Sequence, residues 1–311
     1  MKWIKIVFLS SLVLYILLAL IDVLITNRLM HTNLFDGEYE VWNAINKGEI
    51  GEDLYLYGSS RTYVQLNPTI LDKELNLNSY NLGFNGQRME FLKFRNDEIL
   101  RQGYLPKNVV LNLDIVTLED REIYYQEQYY PLLFFNYSLY KSLNDDISLD
   151  MFDVYIPLIR YLRYRKYSKL IYEDYIKYQS GQNKKKRTKG FASRNYKWKE
   201  QKLENKTINV NTDRLQDLIQ MIKDLQKVNT NIILINSPEY ISQIKSQKNR
   251  KEIIKLYDSV AHQFNIPFIN YSSDSMNFQQ QYFYDTNHLN SKGADIFTKK
   301  LAEDIKPYIK R

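Results

Sequence analysis

The stretch Asp53-Leu-Tyr-Leu-Tyr-Gly-Ser-Ser-Arg61 decides the fold. Its leucines and tyrosines read as a short strand. Gly58 then permits a sharp exit, and hydroxyls follow at the strand's carboxyl end. In an open parallel sheet that edge is where ligands collect. Taken alone, Gly-Ser-Ser is also a common turn.

The same rhythm recurs outward from it. Residues 108–113, 231–236 and 266–269 are further short apolar runs, while 87–102, 212–227, 250–263 and 291–309 space apolar residues three and four apart. Gly103 with Pro106, and Asn229 with Thr230, mark helix ends. Four strands alternating with four helices predict an α/β domain, a three-layer α/β/α sandwich on a parallel sheet. It runs over 53–311, interrupted by an insertion at about 116–211 where the alternation lapses. Residues 124–178 hold 13 of the 27 tyrosines, and Leu158, Tyr161, Leu162 and Tyr164 fall at helical spacings. An added helical layer over the sheet is the expectation there, with stacking platforms for sugar rings as the alternative.

The N-terminus reads as a membrane segment. Residues 6–21 carry no charge, and apolar character resumes after Asp22 through Ile25. About 20 residues at ~1.5 Å each span roughly 30 Å, the thickness of a hydrocarbon core. Lys2 and Lys5 precede the run and Arg28 follows it, which places the N-terminus in the cytoplasm. Residues 1–30 are therefore expected as a cytoplasmic N-terminus and single-pass anchor in the cell membrane, 31–52 as a linker, and the rest as extracytoplasmic. A cleavable signal would have a shorter apolar region ending at small residues, whereas this run continues Leu20-Ile21-Asp22-Val23. Asp22 is expected at headgroup level.

Composition narrows the chemistry. The 311 residues are 44% hydrophobic and 25% charged, enough for one sizeable core and unlike a disordered polymer. With no cysteine, disulfides, thiolate metal sites and cysteine nucleophiles are excluded. The net charge of +7 has an address: residues 184–206 hold ten Lys or Arg against Glu200 and Glu204. This tract reads as a solvated loop, or alternatively as a contact for anionic lipid headgroups or a polyanionic glycan. Nucleic acid is not expected as a partner outside the cytoplasm.

A second motif lies at the far end, where Phe283-Tyr-Asp-Thr-Asn-His288-Leu-Asn-Ser-Lys-Gly293 precedes the last helical run. Asp285 can orient the His288 imidazole across one turn and leave its other nitrogen facing outward, as a general base requires. The alternative is a pair of turn and capping residues. His31 and His262 lack such an acid nearby in a loop. No His-Glu-x-x-His, paired histidines, Gly-Lys-Ser/Thr or Gly-x-Gly-x-x-Gly occurs, so no metal or other cofactor is expected.

Together, Gly58-Ser-Ser60-Arg61 and Asp285-x-x-His288 resemble the SGNH (GDSL-like) hydrolase superfamily. The resemblance covers 53–114 and 231–309 in scattered blocks. It implies Ser60, rather than Ser59, as nucleophile, with His288 and Asp285 completing a catalytic triad. It also implies an oxyanion hole built from the amides of Ser60 and Gly86, the latter within Asn81-Leu-Gly83-Phe-Asn-Gly86. The family's third block, Gly-x-Asn-Asp, is replaced by Leu111-Asn-Leu-Asp114, so its oxyanion asparagine is missing. Asn112, Asn85 and Arg61 are the candidate replacements, Arg61 also as a substrate-binding residue. An anchor with a degraded third block resembles extracytoplasmic proteins of exopolysaccharide or teichoic acid O-acylation. That implies a serine esterase or O-acyltransferase acting on acyl esters, acetyl foremost, of cell-surface glycans, with a membrane-bound O-acyltransferase as a partner. A catalytically weak glycan-binding accessory and a lipase-like esterase are the alternatives.

Overall fold

The computed structural model describes residues 2–119 apart from 33, 52 and 87, then 126–144, 149–163, scattered positions between 169 and 180, and 187–311. Strands β1 (Leu54–Tyr57), β2 (Ser79–Asn81), β3 (Asn108–Asn112), β4 (Asn231–Asn236) and β5 (Phe268–Asn270) form one sheet. Its order is β2-β1-β3-β4-β5, and every pair is parallel. Strand β2 is the one that periodicity misses. Three residues cannot show an alternation, and Ser79-Tyr-Asn81 is placed by its ladder to Leu54, Tyr55 and Leu56 rather than by its own propensity.

The helices are α1 (Lys2–Met30), α2 (Leu34–Lys47), α3 (Ser60–Gln65), α4 (Pro68–Leu75), α5 (Met89–Arg101), α6 (Tyr137–Asn144), α7 (Met151–Tyr155), α8 (Ile159–Arg163), α9 (Thr212–Lys227), α10 (Ile241–Ser246), α11 (Arg250–Phe264) and α12 (Ser291–Ile305). Helices cover both sides of the sheet, making three layers. On one side Leu54, Leu56, Val110, Ile233 and Ile235 share a core with Leu71 of α4 and Phe297, Leu301 and Ile305 of α12. On the other side α5 packs against α9. Because both faces are covered, the strands are apolar runs rather than alternating ones.

The strand order creates the site. From β1 the chain first steps outward to β2, then returns to β3 on β1's other side. Ligands in open α/β sheets bind in the crevice that opens at such a reversal, outside the carboxyl ends of the strands. Gly58-Ser59-Ser60 leaves β1 there, and Leu113-Asp114 leaves β3. The exit admits only glycine: Gly58 has φ +150°, and a Cβ would lie 2.1 Å from Thr62 Oγ1 and 2.7 Å from the Asn112 carbonyl oxygen.

The chain divides into two compact units, Met1–Asn43 with Tyr125–Lys186, and Ala44–Tyr124 with Arg187–Arg311. The second holds the sheet and continues through the basic tract, so the boundary falls at 187 rather than near 211. Residues 187–206 are mostly exposed beyond 192 but are tethered to the body at several points. Their backbone is a strap: Asn81 N donates to Lys189 O (2.9 Å), Ala192 N to Tyr63 O (2.9 Å), Ser291 N to Arg194 O (2.8 Å) and Lys199 N to Tyr284 O (2.7 Å). Arg187 is buried, donates to the Gly83 carbonyl (3.1 Å) and lies 4.6 Å from the Tyr63 ring centroid. The basic composition of the tract does not report these backbone tethers. Lys184 and its two neighbours at 185 and 186 lie outside the described residues.

In the first unit, α1 is one helix long and apolar enough to cross a membrane. The stretch 31–52, expected as a linker, instead carries α2, where Tyr39, Trp42 and Ile45 recur every three residues and are buried. Asp22 near the end of α1 has a partner within this unit. It is fully buried, with both oxygens 2.6 Å from the guanidinium of Arg160. Leu158 and Tyr161, expected to pack over the sheet, belong to this unit; the Tyr161 hydroxyl lies 2.7 Å from Thr26 Oγ1 of α1. Tyr164 falls outside the described residues.

Candidate active site

Adjacent serines at the end of β1 take opposite roles. Ser59 is the N-cap of α3; its buried Oγ accepts from Arg61 N (3.3 Å) and donates to Asp114. Ser60, at the first helical position, is half-buried and turned the other way, with Oγ 2.8 Å from His288 Nε2. One step along the helix separates a structural hydroxyl from one held against an imidazole.

The imidazole comes from the loop before α12, closed by an antiparallel bridge between Phe283 and Leu289 and by Tyr284 N donating to His288 O at 3.1 Å. Inside it, Asp285 Oδ1 accepts from the amides of Asn287 and His288, both at 2.8 Å, and His288 Nδ1 lies 2.9 Å from both carboxylate oxygens. The ring's Nδ1–H is therefore directed to the acid, leaving the Nε2 lone pair for Ser60. Burial pushes the Asp285 carboxyl up, but the hydrogen bond and charge of His288 and the two amides outweigh it and hold the carboxyl below its usual value. Gln65 Nε2 donates to Asn287 O (3.0 Å), and Thr298 Oγ1 donates to Gln65 O (3.0 Å), tying α3, the loop and α12 together.

Tyr284 went unread in the sequence. Its ring stacks on the His288 imidazole, centroids 5.3 Å apart and planes within 4°. Its signal was an aromatic immediately before Asp285, indistinguishable from the other tyrosines by composition.

The expected oxyanion and substrate residues divide. Gly86, at φ +65°, sits in the loop after β2, which runs against the start of α3: Phe84 N donates to Gly58 O at 3.2 Å. The Ser60 amide, at a helix's first turn, has no intrahelical acceptor. Asn85 is half-buried beside Gly86. Asn112 does not fit the role. It is fully buried, its Nδ2 donates to Thr62 Oγ1 and Ser237 Oγ (3.1 Å each), and its Oδ1 accepts from Ser237 N. Nor is Arg61 a substrate contact. Only 3% exposed, it pairs with Asp114 at 2.9 Å and Glu239 at 3.5 Å and donates to the Ser237 carbonyl. A guanidinium set between two buried carboxylates and a carbonyl is turned into the protein rather than toward a crevice.

Beneath the serines, then, lies a buried ionic cluster: Ser59, Asp114, Arg61, Glu239 and Arg250, the last paired with Glu239 and 2.8 Å from Asn236 Oδ1. Burial pushes Glu239 up, and the charges of Arg61 and Arg250 more than reverse it, so its carboxyl is held below the usual range. Glu239→Gln is expected to cost about 3–5 kcal/mol, measured by urea unfolding, because two guanidiniums lose a buried counter-charge. A carboxyl with a depressed folded pKa contributes stability above its unfolded pKa and loses it as pH falls through the folded value. The gap between wild type and variant should therefore narrow in acid.

Among the described residues, no three or more His, Asp or Glu side chains converge as a metal site. No family model matches the sequence, and no curated protein matches it. Among solved structures, TesA is similar at 13% identity and a TM-score of 0.45, over 83% of this chain and 99% of that one. A GDSL-like lipase from Bacteroides thetaiotaomicron is similar at 12% identity and TM-score 0.40, over 87% and 98%. A family two carbohydrate esterase from Clostridium thermocellum is similar at 9% identity and TM-score 0.40, over 83% and 64%.

Proposed function

We propose that this chain is a membrane-anchored, extracytoplasmic serine esterase or O-acyltransferase acting on acyl esters of cell-surface glycans, acetyl esters foremost. The observation that carries the proposal is the line Ser60 Oγ, His288 and Asp285, with contacts of 2.8 and 2.9 Å. Ser60 Oγ attacks the ester carbonyl carbon while its proton passes to His288 Nε2, and the carbonyl electron pair moves onto oxygen. The amides of Ser60 and Gly86 receive that oxyanion, and Asn85 beside Gly86 is the candidate for a third donor. The C–O bond to the leaving alcohol then breaks, and the alcohol takes the proton from Nε2. Water or a sugar hydroxyl, deprotonated by His288, attacks the acyl-serine and releases it by the reverse steps; Asp285 holds the tautomer throughout.

The glycan part of the proposal draws on a cavity of about 520 Å³ lined by Trp198, Gln201, Tyr240, Lys245 and Thr286, one residue from Asp285. Trp198 and Tyr240 meet edge to face at 4.9 Å, a surface on which a sugar ring stacks. The anchor part draws on α1 and on the placing of Lys2 and Lys5 before it. A fluorophosphonate probe tests the chemistry: it should label wild type and Ser59→Ala but not Ser60→Ala, and undiminished labelling of Ser60→Ala removes the nucleophile. The second reading, a catalytically weak accessory of a membrane-bound O-acyltransferase, is favoured by one observation, the commitment of Asn112 to Thr62 and Ser237. Full rescue of a surface O-acylation defect by Ser60→Ala would select it.

A further inference from the structure

From residue 15 onward, α1 has two faces. Tyr15, Leu18, Ala19, Asp22, Ile25, Thr26, Leu29 and Met30 are half-buried or buried and recur at three and four, the spacing of a helical stripe. Ile16, Leu17, Leu20, Ile21, Val23 and Leu24 lie between them and are 45–64% exposed. One height of one helix thus carries a covered stripe and a bare apolar one. What covers the stripe is the tyrosine-rich segment of the same unit. Tyr15 hydroxyl donates to the Tyr155 carbonyl (2.8 Å), Leu158 N donates to Asp22 (2.6 Å), and Arg160 grips Asp22 with two bonds while also reaching Thr26 at 3.1 Å.

These contacts fix depth. Leu24 is the outermost of α1's bare apolar side chains, and Tyr15 lies nine residues further in, about 13 Å at 1.5 Å per residue. A bilayer that covers Leu24 therefore covers the level at which Tyr155 is attached. At that level the segment is itself apolar and outward-facing: Phe135, Phe152, Tyr155 and Ile156 are 61%, 62%, 38% and 41% exposed, and the Phe135 and Tyr155 rings meet edge to face at 5.6 Å. Arg160 is paired with Asp22, and Arg163 with Asp150 and Asp153. A charged residue inside a bilayer is tolerated when paired in this way.

We infer that Phe135 and residues 152–156 dip into the outer leaflet beside α1, with Phe135, Phe152, Tyr155 and Ile156 among the lipid acyl chains and the Asp22–Arg160 pair clamping the segment at that depth. The occupant of the patch is lipid because the patch continues α1's bare face, and α1 is exposed on every side from Trp3 to Leu14. The inference rests on reading α1 as a membrane anchor, and the test separates the two.

The chain has no cysteine, so single reporters can be installed without background. Full-length Leu17→Cys, Phe152→Cys, Ile156→Cys and Tyr196→Cys would carry a nitrobenzoxadiazole label in phosphatidylcholine–phosphatidylglycerol nanodiscs. Acyl-chain nitroxides and aqueous iodide serve as quenchers. Labels at 17, 152 and 156 should be quenched by the nitroxide lipid and lose most of the iodide quenching that the exposed Tyr196 position shows. Lipid quenching at 17 with iodide quenching at both 152 and 156 overturns the inference and leaves the anchor standing. Iodide quenching at 17 removes the anchor, and the inference with it. Protection at 152 and 156 from both quenchers means protein covers the patch, which also overturns it.

Discussion

Ser60→Ala is expected to lower kcat/KM for a short acyl ester by on the order of 10⁴–10⁶, the loss that follows removal of a triad nucleophile. The neighbouring substitution is the informative control. Ser59→Ala keeps Ser60 Oγ opposite His288 and removes instead an N-cap and a partner of Asp114. Its expected cost is about 1–3 kcal/mol of stability, seen as a lower urea midpoint, with turnover of the folded fraction retained. Equal activity losses in the two variants would mean that the loop, and not the hydroxyl, was being measured.

The second large effect is expected from Asp285→Asn, about 10⁴ in kcat. A carboxamide in that place offers a donor toward Nδ1, favours the other tautomer and puts a hydrogen on Nε2 where Ser60 needs an acceptor. Protonation of Asp285 should not reproduce this loss at moderate pH. His288 and two amides hold the Asp285 carboxyl below its usual value, so it stays ionised at about pH 5. The stability it contributes is present above its unfolded pKa and fades only as pH falls through the lower folded one. A pH–rate profile of wild type with an acid limb matching protonation of Asp285 near its ordinary value would contradict the geometry.

How far the sequence could be read depended on whether side-chain pattern or backbone pairing set the structure. The buried runs of β1, β3 and β4 and the long helices α5, α9, α11 and α12 were legible because a repeating apolar period survives in each. β2, α3 and α4 were not, since three to eight residues hold too little of any period. The tethers of the 187–206 strap are not legible because they lie in backbone bonds to Asn81, Tyr63, Tyr284 and Ser291, which side-chain charge does not report. Ser60, His288 and Asp285 could be proposed from motif spacing. The inward fates of Asn112 and Arg61 could not, since an amide or guanidinium reads the same whether it faces a crevice or a buried partner. Asp22 had a partner 138 residues away, beyond any local pattern.

Under the proposed function, the separation of Ser60 from His288, 228 residues along the chain, also sets when the chain becomes reactive. The serine is made early, and the loop that carries His288 is anchored by α12, which is made long after it. Until that helix docks and Thr298 reaches Gln65, the hydroxyl is an ordinary alcohol. Loop closure over so long a span makes this a late event in folding. Under the proposed function, synthesis and any crossing of a membrane in the unfolded state therefore proceed with an inert chain, and a reactive serine reports that α12 has docked.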